Sequence, residues 1–291
     1  MGNVVHSINN QIAKFKEREL DLSCYEEVKL KEILLDIGYY RLGFYCHYYF
    51  DKKTNKFSST VKISDIINLY YLDVDLKYLL LKYINRIEIN FRTKLIYYVS
   101  MKYKDNSRWY VDDSIMDAES VITFKNNIYT DKFKQDNLTV KNHHINNSAD
   151  DFAPCWKVFE YLTFGAIITI FSNIQDQSVK QIISEKYGIK DLNKFFKLLN
   201  TVRLIRNICA HSGVLFDYSL PQSVSSIPQI NYNIGDRNSL DTSIKVIGFF
   251  IETISSNRYI DFQKDIKLFF DDRKKDPVLS QVIIDRIRYL N

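Results

Sequence analysis

The sequence predicts an all-α protein, and three observations carry that expectation. Gly and Pro are sparse, 8 and 4 in 291 residues, so few turns are forced and long helices are favoured over a many-stranded sheet. Apolar residues recur at helical spacing: Leu76, Leu80, Tyr83, Ile84, Ile87, Phe91, Leu95 and Tyr98 share one face between Asp75 and Tyr103. No run alternates apolar and polar residues in the manner of a strand. Hydrophobic residues make up 46% of the chain, enough for a sizeable core, which excludes a disordered chain.

The elements follow in order. The first twenty residues lack the apolar core of a signal peptide, and Val5 and His6 stand where a myristoylation signal needs Ser or Thr. From Cys24 to Phe50, Val28, Leu30, Ile33, Leu34 and Ile37 mark a helix, and Gly38 and Gly43 flank its end and a restart. The long helix over Asp75–Tyr103 places Glu88 and Arg92 four apart, close enough to pair. On spacing alone that pair reads as solvated; the sharper reading is an internal brace. "YLTFGAIITIF", from Tyr161 to Phe171, reads as a fully buried helix, too short for a bilayer that needs about 20 residues. A helix with the apolar face Phe195, Leu198, Leu199, Val202, Ile205 and Cys209 or Ile208 comes next. Asp276-Pro277 is a helix start, with Asp as N-cap and Pro at the first position, leading into Val278, Val282, Ile283, Ile287 and Leu290. The count comes to roughly eight to ten helices. Two long polar stretches, 134–154 and 217–241, read as irregular excursions or lids on a single domain spanning 1–291.

The charge of +5 permits a polyanionic partner without requiring one. The four cysteines show no CxxC spacing and read as reduced, cytosolic thiols. "DDRKKD", from Asp271 to Asp276, reads as a solvated turn. His143-His144 with Asp150 and Asp151 is a weak metal candidate, because adjacent His side chains in a polar stretch point apart. No phosphate-binding Gly loop and no nucleophile elbow is present, and neither metal nor cofactor is expected.

The chemistry concentrates in "RLIRNICAHSG", Arg203 to Gly213. Arg203, Arg206, Asn207, Ala210 and His211 fall away from the apolar face, and Asn207 and His211 are one turn apart. Ser212-Gly213 reads as the helix end, which puts His211 in the last turn. Taken alone, the spacing favours a capping His beside an Arg paired to a core carboxylate such as Glu160 over an active site. Glu160 is expected to find an Arg partner, Arg203 or Arg206 first and Arg86 or Arg92 as alternatives, since an unpaired carboxylate among apolar residues is costly.

Four blocks, in order, widen the context: "GYYRLGFY" (38–45), "INRIEINFRTKL" (84–95), "PCWKVFEYLTFGAI" (154–167) and "RLIRNICAHSGVLFD" (203–217). Together they resemble abortive-infection phage-resistance proteins of the AbiD/AbiF type, within the HEPN superfamily. The resemblance implies a HEPN-like helical bundle, often dimeric, and a metal-independent ribonuclease whose Arg-polar-x3-His motif falls on Arg206, Asn207 and His211. Arg203, Glu160, Arg86, Glu88 and Arg92 would support the site or touch RNA. Some HEPN toxins carry a Tyr two residues after the His; here Gly213 stands there, so regulation through that Tyr is not expected. The implied setting is a bacterial cytoplasm, with RNA as substrate, a homodimer, no membrane, and an antitoxin protein or small RNA as neutralising partner. The alternative is a non-catalytic RNA-binding or scaffolding protein of a defence system.

Overall fold

A computed structural model describes residues 5–211 and 213–290. Met1-Gly2 and Ser212, on which expectations above rest, lie outside it. The chain is all-α among these residues. Three short helices open it: α1 (Ile8–Glu17), α2 (Glu27–Asp36) and α3 (Tyr39–Tyr49). A hairpin of two-residue strands follows, β1 (Phe50–Asp51) and β2 (Lys56–Phe57), antiparallel with Phe50 opposite Phe57.

The organising element is α4 (Ile63–Lys102), 40 residues and about 60 Å long at 1.5 Å per residue. It starts twelve residues before the periodic stretch seen in the sequence. Five small helices come next: α5 (Ala118–Thr123), α6 (Asp131–Asp136), α7 (Leu138–Asn146), α8 (Cys155–Val158) and α9 (Phe164–Ser172). The rest are α10 (Gln177–Glu185), α11 (Leu192–Ala210), α12 (Leu240–Ile254), α13 (Ser256–Arg273) and α14 (Pro277–Val282). The helices α3, α10, α11, α12 and α13 all pack on α4. Phe91 of α4 sits in a ring cluster with Phe164, Phe171, Tyr187 and Phe195, the Phe91–Phe171 pair edge-on at 5.3 Å.

Caps explain many boundaries. The side chains of Asp117, Thr130, Thr163, Asp191, Ser239 and Asp276 each accept a backbone N–H in the first turn of the helix they precede. Asp276-Pro277 therefore starts α14 as its dipeptide predicts.

Three expectations need correction. The stretch 134–154 is not an irregular loop throughout, because α7 and the end of α6 lie in it; Thr130 caps α6, and Val140 is fully buried. The stretch 217–241 is irregular up to the α12 cap, yet it is no free lid. It buries Leu220, Val224, Ile227 and Ile230, and its two arms bond to each other, Leu220 N–H to Asn238 O (2.8 Å) and Val224 N–H to Arg237 O (2.9 Å). The apolar run 161–171 is not wholly buried: Tyr161 and Thr169 are exposed, and Thr163 caps α9 only from Phe164.

Candidate functional site

The apolar face expected on α11 is buried at Phe195, Leu198, Leu199, Val202 and Ile205, and of the two candidates at its end Cys209 is buried and Ile208 half-buried. The helix stops at Ala210. His211 has extended backbone (φ −116°, ψ −179°), and its N–H still closes on Asn207 O at 3.0 Å. His211 is thus the first residue past the helix rather than a member of its last turn. Its side chain is exposed. Burial pushes the thiol of neighbouring Cys209 up to about 12, which leaves it a packing residue, not a nucleophile.

The α4 surface beneath α11 carries buried charge. Glu88 and Arg92 are 8% and 9% exposed and lie 3.5 Å apart, so they are the internal brace and not a solvated pair. The solvated reading fails because helices pack around α4 and cover a face that spacing alone leaves to water. Arg206 Nε meets Glu88 Oε2 at 3.6 Å, and Arg92 meets Glu160 at 3.6 Å. The result is a chain of alternating sign, Arg206–Glu88–Arg92–Glu160. Separations of 3.5–3.6 Å are those of ion pairs rather than tight hydrogen bonds. Arg92 also donates to Leu162 O at 3.3 Å, which fastens the turn that carries Glu160.

Glu160 therefore pairs with Arg92, one of the two alternatives, and not with Arg203 or Arg206. It sits in a single 3₁₀ turn (Phe159–Tyr161) with its side chain 63% exposed, outside any buried helix. Arg203 donates from Nε to Asn200 Oδ1 (3.0 Å) and lies against Gly165 of α9. Arg86 is exposed on the opposite side of α4 from Glu88 and does not join the cluster. The pairing leaves both Nη groups of Arg206, the side chain of Asn207 and the ring of His211 without a hydrogen-bond partner among the described residues.

A second ion pair on α4 shapes the site from the other side, and sequence reasoning missed it. Asp73 is wholly buried. Its Oδ1 accepts the N–H groups of Leu215 (2.8 Å) and Phe216 (2.6 Å); its Oδ2 accepts the Tyr45 hydroxyl (2.9 Å) and pairs with Lys77 (2.5 Å). Arg41 donates to the Tyr45 oxygen at 3.2 Å, and the Tyr45 ring stacks on Phe216 at 5.9 Å. Burial, with the Asp73 charge beside it, pushes the Tyr45 phenol far above its ordinary range, so it stays a donor. The block "GYYRLGFY" thus serves as a support for this latch. Asp73–Lys77 and Glu88–Arg92 are both four apart and lie on one side of α4, about 22 Å apart along its axis. One grips Arg206 before His211, the other grips residues 215 and 216 after it. The signal in the sequence was Asp73 with Lys77, an opposite-charge pair four apart on a helix face otherwise made of residues such as Leu69, Leu76 and Leu80.

The weak metal candidate resolves into protein contacts. His143 is buried, with Nδ1 3.3 Å from Lys157 Nζ and Nε2 3.0 Å from the Asp150 carboxylate, the latter too poorly angled for a hydrogen bond. Asp150 also pairs with Arg108. Desolvation first, then Lys157, lowers the His143 pKa. His144 instead meets the Tyr129 hydroxyl at 2.8 Å, and Asp151 is exposed. Among the described residues no three His, Cys, Asp or Glu side chains are placed to hold a metal ion. No helix there is long and apolar enough to cross a membrane.

Fold and site together define a class: an all-α protein in which two buried ion pairs present an Arg-Asn-x3-His motif at the end of a helix. Residues 32–217, which contain both ion pairs and the motif, match the model of the Abi-like protein family, and the chain belongs to that family. It is an abortive-infection protein, with a role in phage defence. No curated protein and no solved structure matches it.

Proposed function

We propose that this chain is a defence effector acting as a metal-independent endoribonuclease of the HEPN type. The observation that supports this most is the state of Arg206. Glu88 holds it through Nε, its Nη groups make no hydrogen bond among the described residues, and the exposed His211 follows at the end of the same helix. A guanidinium matches phosphate oxygens through two parallel N–H groups, and a fixed one costs little to reorganise as charge develops.

RNA supplies its own nucleophile. The 2'-oxygen attacks the adjacent phosphorus and loses its proton to a base. The bond to the 5'-oxygen breaks, and an acid protonates that oxygen. The products are a 2',3'-cyclic phosphate and a 5'-hydroxyl. Imidazole titrates near neutrality and serves either role. One chain offers one such His at this motif, so two copies with their motifs facing would divide the acid and base roles. Asn207 would orient the ring or the phosphate. The effector would act in the bacterial cytoplasm and arrest growth unless an antitoxin protein or small RNA holds it silent.

Labelled RNA incubated with the protein in EDTA tests the activity: cleavage is expected. Binding in a gel shift without cleavage would establish the alternative, a non-catalytic RNA-binding protein in which the Arg206–Glu88 pair is structural. Arg206→Lys should not restore cleavage, because a point charge cannot reproduce the fork; wild-type rates from this variant would remove Arg206 from the mechanism. Light scattering at micromolar concentration should give twice the mass of one chain, and a monomer there would contradict the shared site.

A further inference from the structure

Arg203 and Asn207 are one turn apart on one stripe of α11, and His211 follows as the first residue past its end. The stripe does not end at Arg203. A groove of about 300 Å³ continues from it, between Lys197, Asn200, Arg203 and Leu204 on α11 and residues 220–224 opposite. Its far wall is firm: Leu220 and Val224 are bonded to the backbone of residues 237–238, and the Ser223 hydroxyl donates to Asn238 Oδ1 at 2.6 Å. The same returning chain lies along α11 up to the motif, where Gly213 packs on Ile208.

Carboxylates separate three other open clefts from this groove. The cleft between α5 and α9 carries Asp117 and Glu119. The cleft among α12, α13 and the C-terminal turn carries Asp241 and Glu252 beside Lys245 and Lys267, and the one beside α1 carries Asp21 and Glu27 beside Lys16. The α11 groove has no carboxylate in its lining, two cations at Lys197 and Arg203, amides at Asn200 and Gln222, and apolar side chains at Leu204, Leu220 and Pro221. Cations suit phosphates, and apolar side chains beside them suit a base or ribose face.

We infer that this groove holds the nucleotides next to the scissile phosphate, so that single-stranded RNA lies along α11 with Lys197 and Arg203 gripping its backbone. The inference rests on the ribonuclease reading and adds the path of the substrate. The strand enters beside residues 220–224 and reaches Arg206, Asn207 and His211 at the helix end. This path also gives the packed 217–241 segment a role, as a fixed wall for the strand.

The test measures anisotropy of a short fluorescein-labelled single-stranded RNA across a salt series. The protein carries His211→Ala, so the probe is not consumed. Adding Lys197→Ala or Arg203→Ala should weaken binding about tenfold each, the scale for losing one charge-assisted contact. Each should also flatten the slope of log K against log salt by about 0.7. The melting temperature of each variant confirms that it is folded. If the His211→Ala protein binds the probe and neither change alters affinity or slope, the groove is overturned and the ribonuclease reading stands. If both changes weaken binding but wild-type protein does not cut, the groove stands and the cleavage reading falls. A protein that binds no RNA overturns both. A Lys197→Ala variant that keeps full RNA affinity but loses a neutralising protein partner also overturns the groove as an RNA path.

Discussion

His211→Ala is expected to slow RNA cleavage by about 10²–10⁴-fold, the usual contribution of one positioned proton-transfer group, while melting at the wild-type temperature. The two halves of the expectation have separate causes. The side chain is exposed and has no partner among the described residues, so its removal leaves no cavity and no orphaned polar group. The backbone N–H that closes the helix on Asn207 O is retained in alanine. In cells without the neutralising partner, wild-type protein should slow growth and the variant should be tolerated at equal expression. A variant that melts like wild type and still cuts RNA or blocks phage as well would return the motif to a structural cluster.

Asp73→Ala should have the largest effect on stability. Removing this carboxylate strands the Lys77 ammonium in a buried site and deprives the Leu215 and Phe216 N–H groups and the Tyr45 hydroxyl of their acceptor. Breaking a buried pair in this way costs about 3–5 kcal/mol. Thermal unfolding should shift down on the order of 10 °C for a chain of this size. Asp73→Leu combined with Lys77→Met should recover part of the loss, since an apolar pair replaces the ions. It should not recover all of it, because the two backbone donors stay unsatisfied. A melting temperature within about 2 °C of wild type for Asp73→Ala would show that the latch does not hold the chain after His211.

The inward face of α4 was legible because helical periodicity is a local property, and every residue named on it is buried except the half-buried Tyr98. The α14 start was legible for the same reason: a cap and a proline act within one turn. The motif could be read as a line of residues, with its two competing meanings left open. Its supports could not. Glu88 meets Arg206 across 118 positions of sequence, and Asp73 meets Leu215 across 142. Spacing within α4 shows that Glu88 and Arg92 can pair, but whether water reaches them depends on the helices packed over them. Residues 134–154 misled in the other direction. Their Asn, Asp and Lys content resembles a loop, yet contacts such as buried Val140 and the Tyr161 hydroxyl, which bonds to Thr139, hold α7 in place. Arg86 was an alternative partner for Glu160 by its charge, but it stands two residues from Glu88, and a helix turns residues two apart to different faces.

The ends of the RNA products test the central claim most directly. Wild-type protein and RNA are incubated in EDTA, and the newly formed termini are identified by mass. Attack by the 2'-hydroxyl, with His211 in proton transfer and Arg206 on the phosphate, predicts a 2',3'-cyclic phosphate on one fragment and a 5'-hydroxyl on the other. Products bearing a 3'-hydroxyl and a 5'-phosphate, or cleavage that stops in EDTA, would contradict it.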